Sequence, residues 1–165
     1  MNGRTTSTTI REERKVVEMK RIVIATDGSP DALTAVEEGV SLAQQLDCAL
    51  TFVCVRTPAA QVSGDPIYQY TADDDETTRA RQTIDEAMSI AIDANVDAEY
   101  EILGGSPAEA VLDVARSIDA WLIVVGSRGR GAVHGALFGS VSRALVTHAD
   151  RPVLVARERI PSRVG

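Results

Sequence analysis

The sequence predicts an α/β fold: a mostly parallel, five-stranded sheet with helices on both faces. Three observations lead there. Strand-like and helix-like segments alternate without interruption along the chain. Most strand segments are short continuous apolar runs, as expected of strands buried on both faces. Three of the four helical segments open on a Ser–Pro or Gly–Ser start signal. Such alternation implies right-handed crossovers between parallel strands.

The first strand is Ile22–Thr26 (IVIAT), which runs into Asp27-Gly28-Ser29-Pro30. Ser29 suits a helix N-cap and Pro30 its first position. The helix extends to about Leu46, with Leu33, Val36, Val40 and Ala43 as its apolar stripe. Ala49–Val55 (ALTFVCV) is the second strand. Arg56–Thr71 reads as a long irregular segment, and one of that length is a functional or mobile loop. It lies on the rim next to Val55. Acids at 73–76 suit a helix start, so the second helix is expected from there to Ala94, burying Ile84, Met88, Ala91 and Ile92.

Ala98–Leu103 (AEYEIL) alternates and is more polar, which places it towards a sheet edge. After Gly104-Gly105, Ser106-Pro107-Ala108-Glu109 reads as a capping box for a helix to Ser117, with Ala110, Val111, Val114 and Ala115 inward. Trp121–Val125 is the fourth strand, and residues 126–138 are glycine-rich. Gly139-Ser140 opens the last helix, to about His148, and Val153–Ala156 is the fifth strand. Residues 1–18 read as a flexible extension, or as a short helix over Ile10–Val17 that docks on the body. The domain is expected over 19–157, with a tail at 158–165.

Composition excludes whole classes. The chain has 165 residues and a net charge of −7. That acidic balance argues against a nucleic-acid partner. No apolar run approaches the roughly 20 residues of a membrane span, and no apolar leader precedes the domain. The only lysines are Lys15 and Lys20, so the body offers neither a Schiff-base lysine nor a Walker lysine. The excess of acids without lysine is the surface expected of a protein from a high-salt cytoplasm. Cys48 and Cys54 match no zinc or redox spacing and read as buried thiols in a reducing, cytoplasmic compartment.

In a doubly wound sheet, ligands bind outside the carboxyl ends of the strands where the strand order reverses. The loops after strands one, two and four are therefore the places to look. The fourth carries Gly126-Ser127-Arg128-Gly129-Arg130-Gly131. Glycines there let the main chain approach a ligand, and successive N–H groups can line an anion site. Gly139-Ser140 adds a helix N-terminus, which attracts phosphate. Taken alone, the cluster fits a phosphate cradle of backbone amides or a plain glycine-rich connection. Arg128 and Arg130 suit phosphate pairing or a solvated surface. His134 in the same loop reads as exposed, and His148 as a helix-end residue.

The opening Ile22–Ser29, the spacing Gly126-x2-Gly129-x9-Gly139-Ser140 and the ending Arg151–Val155 resemble the universal stress proteins. The resemblance covers about Lys20 to Arg157. It implies a three-layer fold of the adenine nucleotide alpha hydrolase-like kind, with strand order 3-2-1-4-5 and a homodimer through the last strand, at Val153 and Val155. It further implies ATP, with Mg²⁺ or Mn²⁺, as cofactor. Ala25 and Thr26 would line the pocket, and Ala25 stands where some nucleotide-binding members carry proline. Asp27 would meet the ribose or the metal–phosphate region, and the main chain at Val55 the adenine. Gly126, Ser127, Arg128 and Gly129, with Arg130 beside them, would wrap the phosphates. Gly139, Ser140, Val141 and Ser142 would close the site. The expected function is that of an ATP-binding stress-response regulator or sensor. A slow ATPase and a nucleotide-free interaction module are the alternatives.

Overall fold

A computed structural model describes residues 19–56, 66–131 and 137–158, with side chains from residue 75 onward in the second helix. The elements run β1 (Arg21–Ala25), α1 (Pro30–Leu46), β2 (Ala49–Arg56), α2 (Pro66–Asp93), β3 (Ala98–Gly104), α3 (Pro107–Ser117), β4 (Leu122–Gly126), α4 (Ser140–His148) and β5 (Val153–Ala156). The sheet is parallel with the order β3-β2-β1-β4-β5, as the sequence led us to expect. Among the described residues no helix is long and apolar enough to cross a membrane. Residues 1–18 and His134 lie outside the described set, as does the stretch 57–65 of the expected loop.

Register places the site. Ala25 pairs with Val53 on one side and with Val125 on the other, so β1 and β4 end within a residue of one level, while β2 runs three residues further, to Arg56. The strand order reverses between β1 and β4, which opens a crevice above them. Alternation along the strands sorts the core onto two faces. Ile22, Ile24, Leu50, Phe52 and Val124 pack with α1 and α2, around residues such as Val36 and Ile84. Val23, Val53, Ile123 and Val125 pack with α3 and α4, around Val111 and Leu145. Gly39 sets how close α1 lies on the sheet, because a Cβ there would stand 2.4 Å from Ile24 Cδ1.

Several element details depart from the expectation. α2 begins at Pro66, so the acids at 73–76 fall inside the helix rather than at its start. Proline suits a first helical turn as well as acids do. Its buried face is Ala80, Ile84, Ala87 and Ala91, while Ile92 is 69% exposed. Those four positions recur at the helical spacing that brings side chains onto one face. Ser106 caps α3 through backbone geometry alone, with no side-chain bond, so the capping box does not close. Leu112 rather than Ala110 joins Val111, Val114 and Ala115 inside. In α1 the inward face is Ala32, Ala35, Val36, Gly39, Val40 and Ala43, with Leu33 only half-buried. Trp121 stops short of β4 and lies beneath the Lys20 ammonium, 4.7 Å from the ring centre.

Candidate functional site

A cavity of about 690 Å³ opens above the carboxyl ends of β1, β2 and β4. Its apolar wall is built by Ala25, Val53, Val55, Val111 and Val125, and its other wall by the glycine loop and the start of α4. Of the residues singled out in the sequence, Ala25, Thr26, Asp27, Val55, Gly126, Arg128, Gly129, Arg130, Gly139, Ser140, Val141 and Ser142 line it. Ser127 alone stands behind it.

The loop after β1 folds on its own side chains. Gly28 takes a φ of 75°, where glycine carries no steric cost. The Asp27 carboxylate accepts the N–H of Ser29 at 3.0 Å, closing the turn, and that of Arg130 at 2.9 Å. One carboxylate therefore ties the first loop to the fourth. Ser29 caps α1 as expected, accepting from the Ala32 N–H at 3.3 Å. Its hydroxyl donates in turn to the Arg128 carbonyl at 3.3 Å.

Two glycines are required by close approach. A Cβ on Gly126 would lie 2.6 Å from the backbone at Asp31 and Ala32. One on Gly129 would lie 2.7 Å from Asp27 Oδ2. A side chain at Gly126 would force backbone apart, and one at Gly129 would displace the Asp27 carboxylate.

Ser127 is fully committed. Its N–H donates to the Ala156 carbonyl at 2.6 Å, which ties β4 to β5. Its carbonyl accepts from the Gly139 N–H at 2.7 Å and from Ser142 Oγ at 2.8 Å. Its hydroxyl donates to Asp31 Oδ2 at 2.6 Å. Ser127 and Ser142 thus fix the two ends of the loop, and both hydroxyls point into the protein fabric.

Asp31 escaped the sequence reading. It is 3% exposed. Besides Ser127 it accepts from Arg128 Nε at 3.1 Å and from the Glu158 N–H at 3.0 Å. Burial alone would raise its pKa. The hydrogen bonds from Ser127, Glu158 and Arg128, with the Arg128 charge, outweigh that and hold the carboxyl below its ordinary range. Its only sequence signal was an acid in the first turn of α1, four residues past Asp27. Glu76 and Arg79 were also missed. Both line the cavity from within α2. Arg130 Nη2 meets Glu76 Oε1 at 2.9 Å.

The remaining candidates lie elsewhere. Cys48 and Cys54 are free and buried, and burial pushes the Cys54 thiol up to about 11. His148 holds the Ala144 carbonyl at 2.9 Å at the end of α4, away from the cavity. Among the described residues no group of three or more His, Cys, Asp or Glu could hold a metal ion.

The molecule is thus a doubly wound α/β domain with a glycine-built crevice at its switch point. The chain belongs to the Universal stress protein family, whose sequence profile matches residues 18–157. A universal stress protein of Mycobacterium bovis is 33% identical over 153 residues, covering 83% of this chain and 48% of the relative. The chain spans about half the length of the curated relatives it matches first. The universal stress protein UspA from Lactobacillus plantarum shares the fold with a TM-score of 0.72, at 26% identity, over 84% of this chain and 97% of that one. A universal stress protein solved in complex with cAMP matches with a TM-score of 0.64 at 26% identity, over 83% of this chain and 96% of that one.

Proposed function

We propose that the crevice binds an adenine nucleotide, foremost ATP with its divalent cation, and that occupancy serves a cytoplasmic stress-response regulator. One observation carries the reading: a cavity of about 690 Å³ joins an apolar wall to a wall of glycine backbone and a helix N-terminus. Its size falls in the usual range for small-molecule sites, and such pairing suits a base on one side and phosphates on the other. The cAMP complex of a related protein supports an adenine ligand.

In this reading the main chain at Val55 meets adenine, with Ala25 and Thr26 beneath, and Asp27 faces the ribose. Gly126, Arg128, Gly129 and Arg130 surround the phosphates, and Gly139, Ser140 and Val141 close the site. Ser127 and Ser142 hold the loop in place rather than touch the ligand. A cation fits as part of the nucleotide, since Asp27 already accepts two N–H groups and no metal-holding cluster of His, Cys, Asp or Glu forms among the described residues. There it would neutralise phosphate charge.

Mass analysis of nucleotide extracted from the purified protein, followed by calorimetric titration with ATP and Mg²⁺, tests this. Saturable binding that weakens at least tenfold in Gly129→Ala is expected; a silent titration refutes it. We further propose a homodimer through β5. That strand ends the sheet, with Val153 and Val155 half-buried and Leu154 36% exposed, and an open edge of this kind invites pairing. Light scattering at micromolar concentration tests it, and a monomer there refutes it.

A further inference from the structure

The arginines of the glycine loop are already paired. Arg130 Nη2 lies 2.9 Å from Glu76 Oε1, and Arg79 Nη1 lies 3.9 Å from Glu76 Oε2. Arg128 Nε lies 3.1 Å from Asp31. Glu76, Arg79, Arg128, Arg130 and Asp27 all face the cavity. Among the described residues, then, the carboxylates Asp27, Asp31 and Glu76 balance the guanidiniums of Arg79, Arg128 and Arg130. A site poised to hold several phosphate charges would show an excess of cations. This one offers only main-chain dipoles in surplus, worth about half a charge at a helix end.

Glu76 is the adjustable member of the set. Asp31 is buried and Asp27 is locked between two loops, whereas the Glu76 side chain is 20% exposed and comes from a different element, α2. A phosphate that reached Arg130 would stand beside the Glu76 carboxylate. A metal-free triphosphate carries roughly twice the negative charge of a monophosphate, and each extra charge meets that repulsion.

We propose that Glu76 is a specificity-determining residue: by holding Arg130 and Arg79 it balances the cradle, so that the site selects adenine nucleotides of low net phosphate charge over metal-free ATP. The favoured class is a monophosphate, or a triphosphate neutralised by its own divalent cation. This rests on the adenine-nucleotide reading above.

Calorimetric titrations with AMP, with ATP in EDTA, and with ATP plus Mg²⁺ decide it, run at about 0.1 M salt so that the charges are not screened away. The native protein is expected to bind AMP and Mg²⁺–ATP more tightly than ATP in EDTA. In Glu76→Gln the preference for AMP over metal-free ATP is expected to shrink about tenfold. Glu76→Asp keeps the charge and should keep the native order. Equal native affinity for AMP and metal-free ATP, or an unchanged ratio in Glu76→Gln, overturns the inference and leaves adenine binding standing. No binding of any of the three overturns that reading and this one together. The native titrations need no variant, so they test the inference whatever a substitution does to folding.

Discussion

Asp31 and Ser127, ninety-six residues apart in sequence, share a buried hydrogen bond of 2.6 Å between carboxylate and hydroxyl. The bond pins the end of β4 to the first turn of α1. Around it the Arg128 guanidinium and the Glu158 N–H complete the carboxylate's partners.

Replacing Asp31 by Ala or Asn should destabilise the domain by about 2–4 kcal/mol at neutral pH, read by urea unfolding. Ala leaves Ser127 and Arg128 without their acceptor. Asn keeps the shape, but its amide nitrogen cannot accept and its charge is gone. The Asp31 pKa is lowered in the native state, so the unfolded chain takes up its proton first. The stabilisation is complete above the ordinary aspartate value and drains away as pH falls from there through the lowered native value. Asp31→Asn should therefore flatten the acid limb of the stability curve. A variant whose acid limb matches the native one counts against the assignment.

Gly129 and Gly131 should separate sharply when changed to alanine. At Gly129 the new methyl would press on Asp27 Oδ2 at 2.7 Å and break the tie to the Arg130 N–H. At Gly131 nothing among the described residues lies within 4 Å. Gly131→Ala should keep stability within about 0.5 kcal/mol of native and leave binding nearly untouched. Comparable binding losses in both would show that space at Gly129 is not what matters.

Gly126→Ala tests packing rather than binding. The added Cβ meets backbone atoms of Asp31 and Ala32 at 2.6 Å, and no side-chain rotation relieves that. The first turn of α1 must shift, at a cost of about 1–3 kcal/mol in chemical unfolding. A melting curve that overlays the native one would contradict this approach distance.

The buried thiols give a labelling experiment. With Cys54 held at about 11 and Cys48 also raised by burial, little thiolate exists at neutral pH. Iodoacetamide should leave the native protein unmodified over an hour-scale reaction and add two labels once urea unfolds it. Rapid native labelling would mean that the β2 core opens readily.

Much of this fold was legible because its signals are local. Continuous apolar runs marked the strands, and Ser29-Pro30 marked the start of α1 to the residue. The glycine spacing carried the crevice, since close main-chain approach leaves a mark in sequence. What escaped was non-local. Asp31 looks like any first-turn acid until Ser127, Arg128 and Glu158 are folded onto it. Glu76 was grouped with the acids of a helix start, which fall inside α2 because Pro66 supplied the competing start signal, and nothing local marks it or Arg79 as facing the crevice. The family resemblance placed Ser127 and Ser142 at the phosphates; the inward bonds of both hydroxyls leave no local mark, and Ser142 also lines the cavity. Ile92 continued an apolar stripe that the helix turned to solvent.

Ser127 joins five segments at once: it directly follows β4, and it bonds to Asp31 of α1, Ala156 of β5, Gly139 of the loop and Ser142 of α4. A knot with that many strings cannot loosen one string alone. When the native structure breathes, the loop, the last helix and the outer strand must come free together or not at all. Exchange of the Ser127 and Gly139 amides with solvent deuterium then reports a single shared event, and the edge of the sheet and the mouth of the crevice keep the same clock.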